Sequence, residues 1–262
     1  MRVRERLRHI LSAVEREGEL TVEEACRRFG TSPATIRRDF QKLHQRGEVE
    51  KTWGGVQLRT RSFNLMPPYP EREVRQTRAK EMIAAAAVAL VEEGDVVFID
   101  GGTTTVHLAP GLAHRRVRVV TNSLGVAREI ERLRRNRVGA EVYLTGGMLF
   151  PNSELVVGLQ ALRTLSDYHA QWCFLSGSGI DAEGVSNHDE RVVEVERMMV
   201  ARADRVALLA DHTKVGVRSM VAICGLSELD VWVTDTVPTE VGLRQALSQE
   251  EVRVLAADGS AG

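Results

Sequence analysis

Thr31-Ser32-Pro33-Ala34-Thr35-Ile36-Arg37-Arg38-Asp39-Phe40-Gln41-Lys42-Leu43 carries the signals of a helix start followed by one apolar stripe. Serine is a preferred N-cap, and proline fits the first helical position, where its missing N–H costs nothing. Ile36, Phe40 and Leu43 recur at helical spacing, while the opposite face holds Thr35, Arg37, Arg38, Gln41, Lys42 and Gln45. The spacing predicts a helix from Ser32 to about Arg46, closed by Gly47. Upstream, Thr21-Val22-Glu23-Glu24 is a capping box that opens a short helix with Val22, Ala25, Cys26 and Phe29 inward, ended by Gly30. Earlier still, Val3, Leu7, Ile10, Leu11 and Val14 mark one face of a helix over residues 2–17, stopped by Gly18. Two helices joined by the turn Gly30-Thr31-Ser32, the second offering hydroxyl, Arg, Gln and Lys groups, make a helix-turn-helix.

The next residues extend that unit. Residues 48–52, the glycine tip at Gly54-Gly55 and residues 56–58 read as a short hairpin. A hairpin directly after such a helix is the wing of a winged helix. The helix suits the major groove, where Arg grips guanine bidentately and Lys neutralises phosphate. Its first amides favour a phosphate as well. The candidate DNA contacts are Ser32, Thr35, Arg37, Arg38, Gln41 and Lys42 on the helix, with Lys51 and Trp53 on the wing. Trp53 is either a sugar-stacking contact or a plug under the wing. The alternative for the whole face is a solvated basic surface on an ordinary helical hairpin. Asp39 would repel phosphates, so it is expected to orient a neighbouring Arg.

Charge divides the same way. Residues 1–61 carry a balance of +5 and the remainder −6, within a net charge of −1. A basic head on an acidic body is expected when only one end meets a polyanion. Hydrophobic residues make up 43% and charged residues 27%, which excludes a disordered or collagen-like chain. No apolar run reaches the ~18 residues of a membrane span. The N-terminal stretch has no apolar segment of a signal peptide, so a soluble cytoplasmic protein is expected. Cys26, Cys173 and Cys224 lie far apart with no Cys-x-x-Cys pair, which argues against disulfides and zinc. His188 and His212 are isolated too, so neither a metal nor a cofactor is expected.

Beyond Met66-Pro67-Pro68-Tyr69-Pro70, whose prolines break any helical ladder, a helix is expected from Glu71 to Val91. Residues 96–99, 118–121, 142–144, 172–175, 206–210 and 231–234 are continuous apolar strands, the pattern of a parallel sheet covered on both faces. Each ends in small or polar residues: Asp100-Gly101-Gly102-Thr103-Thr104-Thr105, Asn122-Ser123, Gly146-Gly147, Ser176-Gly177-Ser178, Asp211-His212-Thr213-Lys214 and Asp235. In an open α/β sheet that edge binds ligands. Gly102 lets a backbone approach closely, and Thr103, Thr104 and Thr105 offer hydroxyls to a phosphate. Lys214 supplies a mobile charge, while Asp100, Asp181 and Asp211 suit sugar hydroxyls. Neither the Walker spacing nor Gly-x-Gly-x-x-Gly is present. The candidate ligand residues are these, with Asn122, Ser123, Gly146 and Gly147. Their alternative roles are helix caps for Asp100 and Asp211, and a solvated loop position for Lys214.

Thr35-Ile36-Arg37-Arg38-Asp39-Phe40, Leu43, Gly47 and the Gly54-Gly55 tip resemble the N-terminal winged helix of the DeoR family of bacterial transcriptional regulators. Asp100 to Thr105, Val120-Thr121-Asn122-Ser123, Leu144-Thr145-Gly146-Gly147, Gly179-Ile180-Asp181 with Gly184, and Asp211 with Lys214-Val215-Gly216 resemble its effector domain. The family usually carries Leu at the place of Phe40, Arg at that of Lys51 and His at that of Trp53. It usually carries Lys where Glu196 stands, in a helix motif that includes Glu194 and Arg197. The resemblance implies a domain similar in fold to sugar-phosphate isomerases, sensing sugar phosphates or related metabolites.

The expected architecture is an N-terminal winged helix-turn-helix over 1–61, a linker over 62–80, and a Rossmann-like, mainly parallel α/β effector domain over 81–262. The expected function is a repressor of carbohydrate genes, with an operator in double-stranded DNA and a phosphorylated metabolite as partners, acting as a homo-oligomer. The rival is a sugar-phosphate isomerase or deaminase with a DNA-binding head. Its general base would have to come from Asp100, Asp181 or Glu194. A regulator has no need of turnover, so no enzyme activity is expected. A purely architectural DNA binder would leave the crevice unexplained.

Overall fold

The computed structural model describes residues 3–45, 49–52, 54–58, 67–134 and 139–257. The chain divides into two compact units, Met1–Phe63 and Asn64–Gly262.

In the first unit the elements are α1 (Val3–Glu17), β1 (Glu19–Thr21), α2 (Val22–Phe29), α3 (Pro33–Gln45), β2 (Val49–Thr52) and β3 (Gly55–Leu58). The capping box forms as its sequence dictates: the Thr21 hydroxyl accepts from the Glu24 amide, and the Glu24 carboxylate accepts from the Thr21 amide at 3.0 Å. Gly30 ends α2 in the left-handed region (φ 60°). Leu7, Ile10 and Val14 of α1 meet Ile36, Phe40 and Leu43 of α3 and Val49 and Val56 of the hairpin in one core. Val3 stays exposed, and Cys26 and Phe29 are only partly buried, so Ala25 alone is the fully buried residue of α2. One strand was not expected. β1 pairs antiparallel with β3, Leu20 opposite Val56, which makes the wing three-stranded in the order β1-β3-β2. Gly55 permits this, since a Cβ there would collide with the Leu20 backbone. Gly47, Trp53, Arg59 and Arg61 lie outside the described residues.

The second unit begins with α4 (Tyr69–Glu73) and α5 (Thr77–Val88). The single helix expected from Glu71 to Val91 is therefore interrupted, and Gln76 between the two takes a left-handed backbone (φ 52°). Next come β4 (Val96–Ile99), a 3-10 turn at Thr105–Leu108, α6 (Ala109–Leu112), β5 (Arg118–Thr121), α7 (Leu124–Leu133), β6 (Glu141–Leu144), β7 (Met148–Phe150) and β8 (Leu155–Val157). The remainder is α8 (Leu159–Ser166), β9 (Ala170–Leu175), β10 (Gly179–Asp181), β11 (Gly184–Asn187), α9 (Glu190–Ala201), β12 (Ala203–Leu209), β13 (Val221–Cys224), β14 (Val231–Thr234), α10 (Val241–Gln249) and β15 (Arg253–Ala256).

Seven strands form one parallel sheet in the order β15-β14-β12-β9-β4-β5-β6. Side chains alternate across it with period two. Phe98, Val120, Cys173, Leu175, Leu208 and Trp232 pack with α8, α9 and α10 on one face. Val97, Ile99, Val119, Phe174, Leu209 and Val233 pack with α5, α6 and α7 on the other. Both faces are apolar, so the strands read as unbroken hydrophobic runs. The chain moves outward from β4 through β5 to β6, then returns to β9 beside β4 and proceeds the other way. The β4–β9 boundary is the topological switch point, where the loops diverge and leave a crevice. Two small antiparallel sheets, β7-β8 and β10-β11-β13, stand apart from it.

Asp39 turns inward from α3: its carboxylate accepts from Arg6 Nε of α1 at 2.6 Å, with both side chains nearly inaccessible. Asp39→Ala is expected to leave Arg6 buried without a partner and to cost about 3 kcal/mol. Hydrogen exchange of the α1 and α3 amides in the full chain checks this; unchanged protection would show that the pair does not hold α3 in place.

Candidate DNA face and anion cavity

On the first unit, Ser32, Arg37, Arg38 and Gln41 are exposed and Thr35 and Lys42 half-buried, along the side of α3 opposite Ile36, Phe40 and Leu43. Ser32 and Thr35 share a hydroxyl–hydroxyl hydrogen bond at 3.0 Å at the start of the helix. Among the described residues, Arg37, Arg38 and Lys42 form no ion pair, because the one acid of the helix is taken by Arg6. Lys51 of β2 donates to Gln41 Oε1 at 2.8 Å, which ties the wing to the same face. Trp53 lies outside the described residues.

On the second unit, a cavity of about 490 Å³ opens at the switch point. Its turn after β4 runs through Gly101, Gly102, Thr103 and Thr104, and faces Ser176, Gly177 and Ser178 after β9. Asp100 locks the two turns together: its Oδ2 accepts from the Ser176 amide and hydroxyl, each at 2.8 Å. A Cβ on Gly102 would collide with Ser176, so this closeness requires glycine. Burial pushes the Asp100 carboxyl up despite its hydrogen bonds, and its Oδ1 has no partner.

Four cations line the same space: Arg72, Arg75, Lys80 and Lys214. Arg72 donates through Nε to the Pro67 carbonyl at 2.9 Å, sits over the Tyr69 ring at 5.5 Å, and leaves Nη2 without a partner. Lys80 is nearly inaccessible; its ammonium donates to the Arg72 carbonyl, and burial pushes its pKa down to about 8. Burial likewise lowers Lys214, against the pull of Asp211, and Arg72 and Arg75 lower it further. Asp211 spends its Oδ1 on the Thr213 amide and hydroxyl. His188 is lowered by burial, then by Lys214 and Arg72, and its Nδ1 is unpartnered. Cations pressed together in this way call for an anion.

Of the residues singled out from sequence, Gly102, Thr103, Thr104, Asp211 and Lys214 line the cavity and Asp100 lies buried beneath it. The others do not converge there. Thr105 turns inward, accepting from the Gly102 amide at 2.8 Å and donating to the Asp100 carbonyl. Asn122 is buried and donates to the Val156 carbonyl at 3.1 Å, while Ser123 caps α7 by accepting from the Val126 amide. Gly146 and Gly147 follow β6, the last strand of the sheet and two removed from β4. Asp181 lies on β10 and pairs with Arg218 at 2.6 Å. Glu194 is exposed. The physical reason is that strand ends share one edge, but only those flanking the switch point diverge into a crevice.

The sequence reading missed Arg72, Arg75, Gln76, Lys80, Asn187, His188 and Glu196 as lining residues. Two carried a usable signal. Lys80 stands on the buried stripe Lys80-Ile83-Ala84-Ala87 of α5, and Glu196 on the stripe Val192-Glu196-Met199-Val200 of α9. A charge on an apolar stripe needs a partner or a cavity.

A helix-turn-helix unit joined to an α/β unit with a cation-lined cavity has the make-up of a ligand-responsive DNA-binding regulator. Comparison with known proteins agrees. Residues 6–62 match the DeoR-like helix-turn-helix domain and residues 75–236 the DeoR C-terminal sensor domain. The chain is 34% identical to the HTH-type transcriptional regulator GlpR of Haloferax volcanii, over 95% of this chain and 93% of that one. It is 31% identical to the glycerol-3-phosphate regulon repressor of Escherichia coli K12, over 97% and 99%. A solved D-ribose-5-phosphate isomerase in complex with phospho-erythronic acid is similar at 13% identity and a TM-score of 0.40, over 53% of this chain and 54% of that one. The chain belongs to the DeoR family of transcriptional regulators.

Because Lys80 holds a proton less tightly folded than unfolded, the unfolded chain binds more protons between about pH 8 and the ordinary lysine range. Stability without ligand should therefore rise across that window, by up to ~1.4 kcal/mol per pH unit for one such group. Lys80→Met should remove that component. Urea unfolding of both proteins across the window measures it, and equal slopes would show that Lys80 is not so perturbed.

Proposed function

We propose that this chain represses genes of carbohydrate metabolism, and that a phosphorylated sugar or polyol bound in the cavity changes its affinity for an operator. The observation that carries the reading is the set of Arg72, Arg75, Lys80 and Lys214 around the glycine–threonine turn, with a buried guanidinium nitrogen left open. Two lysines weakened by burial lose affinity for protons, and a phosphate would restore it. The hydroxyls of Thr103, Thr104, Ser176 and Ser178 supply neutral donors beside them. The name of the Escherichia coli relative, a glycerol-3-phosphate regulon repressor, supports a phosphorylated polyol as the ligand class.

The same geometry supports binding without turnover. Isomerisation needs an ionised carboxylate as general base. Among the described residues, Asp100 beneath this cavity and Glu196 on its wall each have a buried oxygen without a partner, and burial raises both carboxyls, which disfavours their ionised form. Asp211 gives its Oδ1 to the Thr213 amide and hydroxyl, and its charge acts on Lys80 and Lys214.

The DNA half acts through α3, with Arg37 and Arg38 for base edges and Lys42 and Lys51 for phosphates. Two recognition helices must reach successive major grooves about 34 Å apart, so the working form is a homo-oligomer in the cytoplasm. Coupling is a population shift set by the ligand's differential affinity for two arrangements. Arg72 of α4, Arg75 and Gln76 of the turn after it, and Lys80 of α5 come first in sequence after the winged helix, so the ligand holds the chain close to where it enters the second unit. Gln76, strained into the left-handed region among them, is a natural pivot.

Thermal unfolding against sugar phosphates, their parent sugars and inorganic phosphate tests the ligand. At ~100 times Kd the stabilisation should be about 2.7 kcal/mol. Lys214→Ala should abolish most of that shift, and a shift by parent sugars alone would remove the phosphate reading. Separately, the double variant Arg38→Ala, Lys42→Ala should lose sequence-specific operator binding by at least ~100-fold while keeping the ligand shift. Tight, specific binding by that variant in a gel-shift assay would refute the α3 assignment.

A further inference from the structure

Met148-Leu149-Phe150, the strand β7, is apolar throughout, yet Met148 is 51% exposed and its neighbour Leu149 57%. Successive strand residues point to opposite faces, so neither face of β7 is fully covered. One of its edges is open as well. β7 pairs antiparallel with β8, Leu149 opposite Val156, and among the described residues no strand pairs with its other side. The polar groups at that open edge follow from the ladder. Val156 turns its amide and carbonyl away from β7, donating to the Asn122 carbonyl at 2.8 Å and accepting from Asn122 Nδ2 at 3.1 Å. Leu149 and Val156 are therefore a non-hydrogen-bonded pair, which in an antiparallel ladder directs both the N–H and the C=O of Leu149 outward.

Two further exposed leucines border this edge. Leu144 ends β6, the last strand of the main sheet, and Leu159 opens α8, two residues beyond Val157, the partner of Met148. The turn between β6 and β7 packs against the start of α8: a Cβ on Gly146 would touch Gln160, and one on Gly147 would collide with the Val157 carbonyl. Leu144, Met148, Leu149 and Leu159 thus form one uncharged patch on the order of 400 Å², about half of the ~800 Å² that each partner of a stable dimer buries. The absence of charge suits the core of a protein interface and does not suit a polyanion. A second copy fits the edge in particular. An N–H and a C=O presented by one residue meet the C=O and N–H of the same residue across a two-fold axis, so the edge is complementary to itself.

We propose that β7 of one copy pairs antiparallel with β7 of a second copy about a two-fold axis at Leu149, giving a continuous β8-β7-β7-β8 sheet sealed by Leu144, Met148 and Leu159. This rests on the homo-oligomer proposed above. The interface lies one strand from the ligand cavity: β8 carries Leu155 into the cavity wall, and the Asn152 carbonyl in the hairpin turn accepts from the Tyr69 amide at 3.0 Å. Assembly and ligand binding therefore share one hairpin.

Sedimentation velocity and cross-linking of the full chain test the interface. Leu149→Asp sets two carboxylates face to face across the axis, a like-charge contact that should weaken association at least ~100-fold and halve the sedimenting mass. A second variant guards against an aspartate chain that misfolds. In a Cys26→Ser background, with Cys173 and Cys224 buried, Leu149→Cys places two thiols on facing residues whose Cα atoms are about 5.5 Å apart, so a short bis-maleimide should join the copies. Met220→Cys in the same background, at a residue exposed elsewhere on the unit, should stay unlinked. A folded Leu149→Asp chain of wild-type mass, or Leu149→Cys cross-linking no faster than Met220→Cys, would overturn the β7 interface and leave the homo-oligomer standing. A wild-type chain that sediments as a monomer at concentrations that bind operator would remove the homo-oligomer reading, and this inference with it.

Discussion

The two hydrogen bonds from Ser176 to Asp100 Oδ2 join the ends of β4 and β9, the one pair of neighbouring strands from which the chain departs in opposite directions. Without that tie the switch point would be a gap between loops. With it, the Gly101-Gly102 turn lies against Ser176, and Thr105 closes the turn from below. Asp100 is 2% exposed, and its second oxygen is left unsatisfied. A buried carboxyl with one oxygen unsatisfied is destabilising, so its presence marks a place where the fold serves the site. The same constraint explains why a sheet with seven strand ends has its cavity at one boundary.

The electrostatics follow from that placement. Arg72, Lys80 and Lys214 are held where water screens them poorly, and their mutual repulsion opposes folding. Any ligand that neutralises them recovers this energy on binding, which couples affinity to stability. The segment that brings Arg72, Arg75 and Lys80 to the cavity, α4 and α5, includes the strained Gln76. Local strain and desolvated charge therefore meet in one short stretch, the arrangement expected of an element with two nearly balanced states.

Much of this was legible because the relevant patterns are local. The capping box at Thr21, the stripe of α3 and the apolar strand runs depend on neighbours within a few residues, and all form as read. β1 was hidden because three residues have no period to detect, and its pairing depends on Gly55 letting another strand approach. The proline-rich stretch before α4 looked like a linker, since composition does not show that Tyr69 will be buried or that Arg72 will point into a cavity. Asn122, Ser123 and Asp181 looked like ligand residues because caps, backbone anchors and binding groups use the same side chains. Only the partner distinguishes them: Val156, Val126 and Arg218. Lys80 and Glu196 are instructive in the opposite sense, since a charge interrupting an apolar stripe was visible throughout.

The DNA-binding unit solves a related problem by pairing its acid. A carboxylate on a helix bound for the major groove would oppose the phosphates, yet Asp39 sits in the middle of α3. Turned inward onto Arg6, it crosslinks α3 to α1 across the core, and the outer face is left with cations and neutral groups. A buried pair of this kind adds little net stability over an apolar substitute. What it does supply is registry, because Arg6 and Asp39 meet at 2.6 Å only when α3 has one rotation about its axis. That rotation presents Arg37, Arg38 and Gln41 together. Lys51 donates to Gln41 Oε1 at 2.8 Å, which fastens the wing to the outer face of α3. The wing is thereby pre-oriented, and for any ligand that engages both elements part of the ordering cost is met when the unit folds.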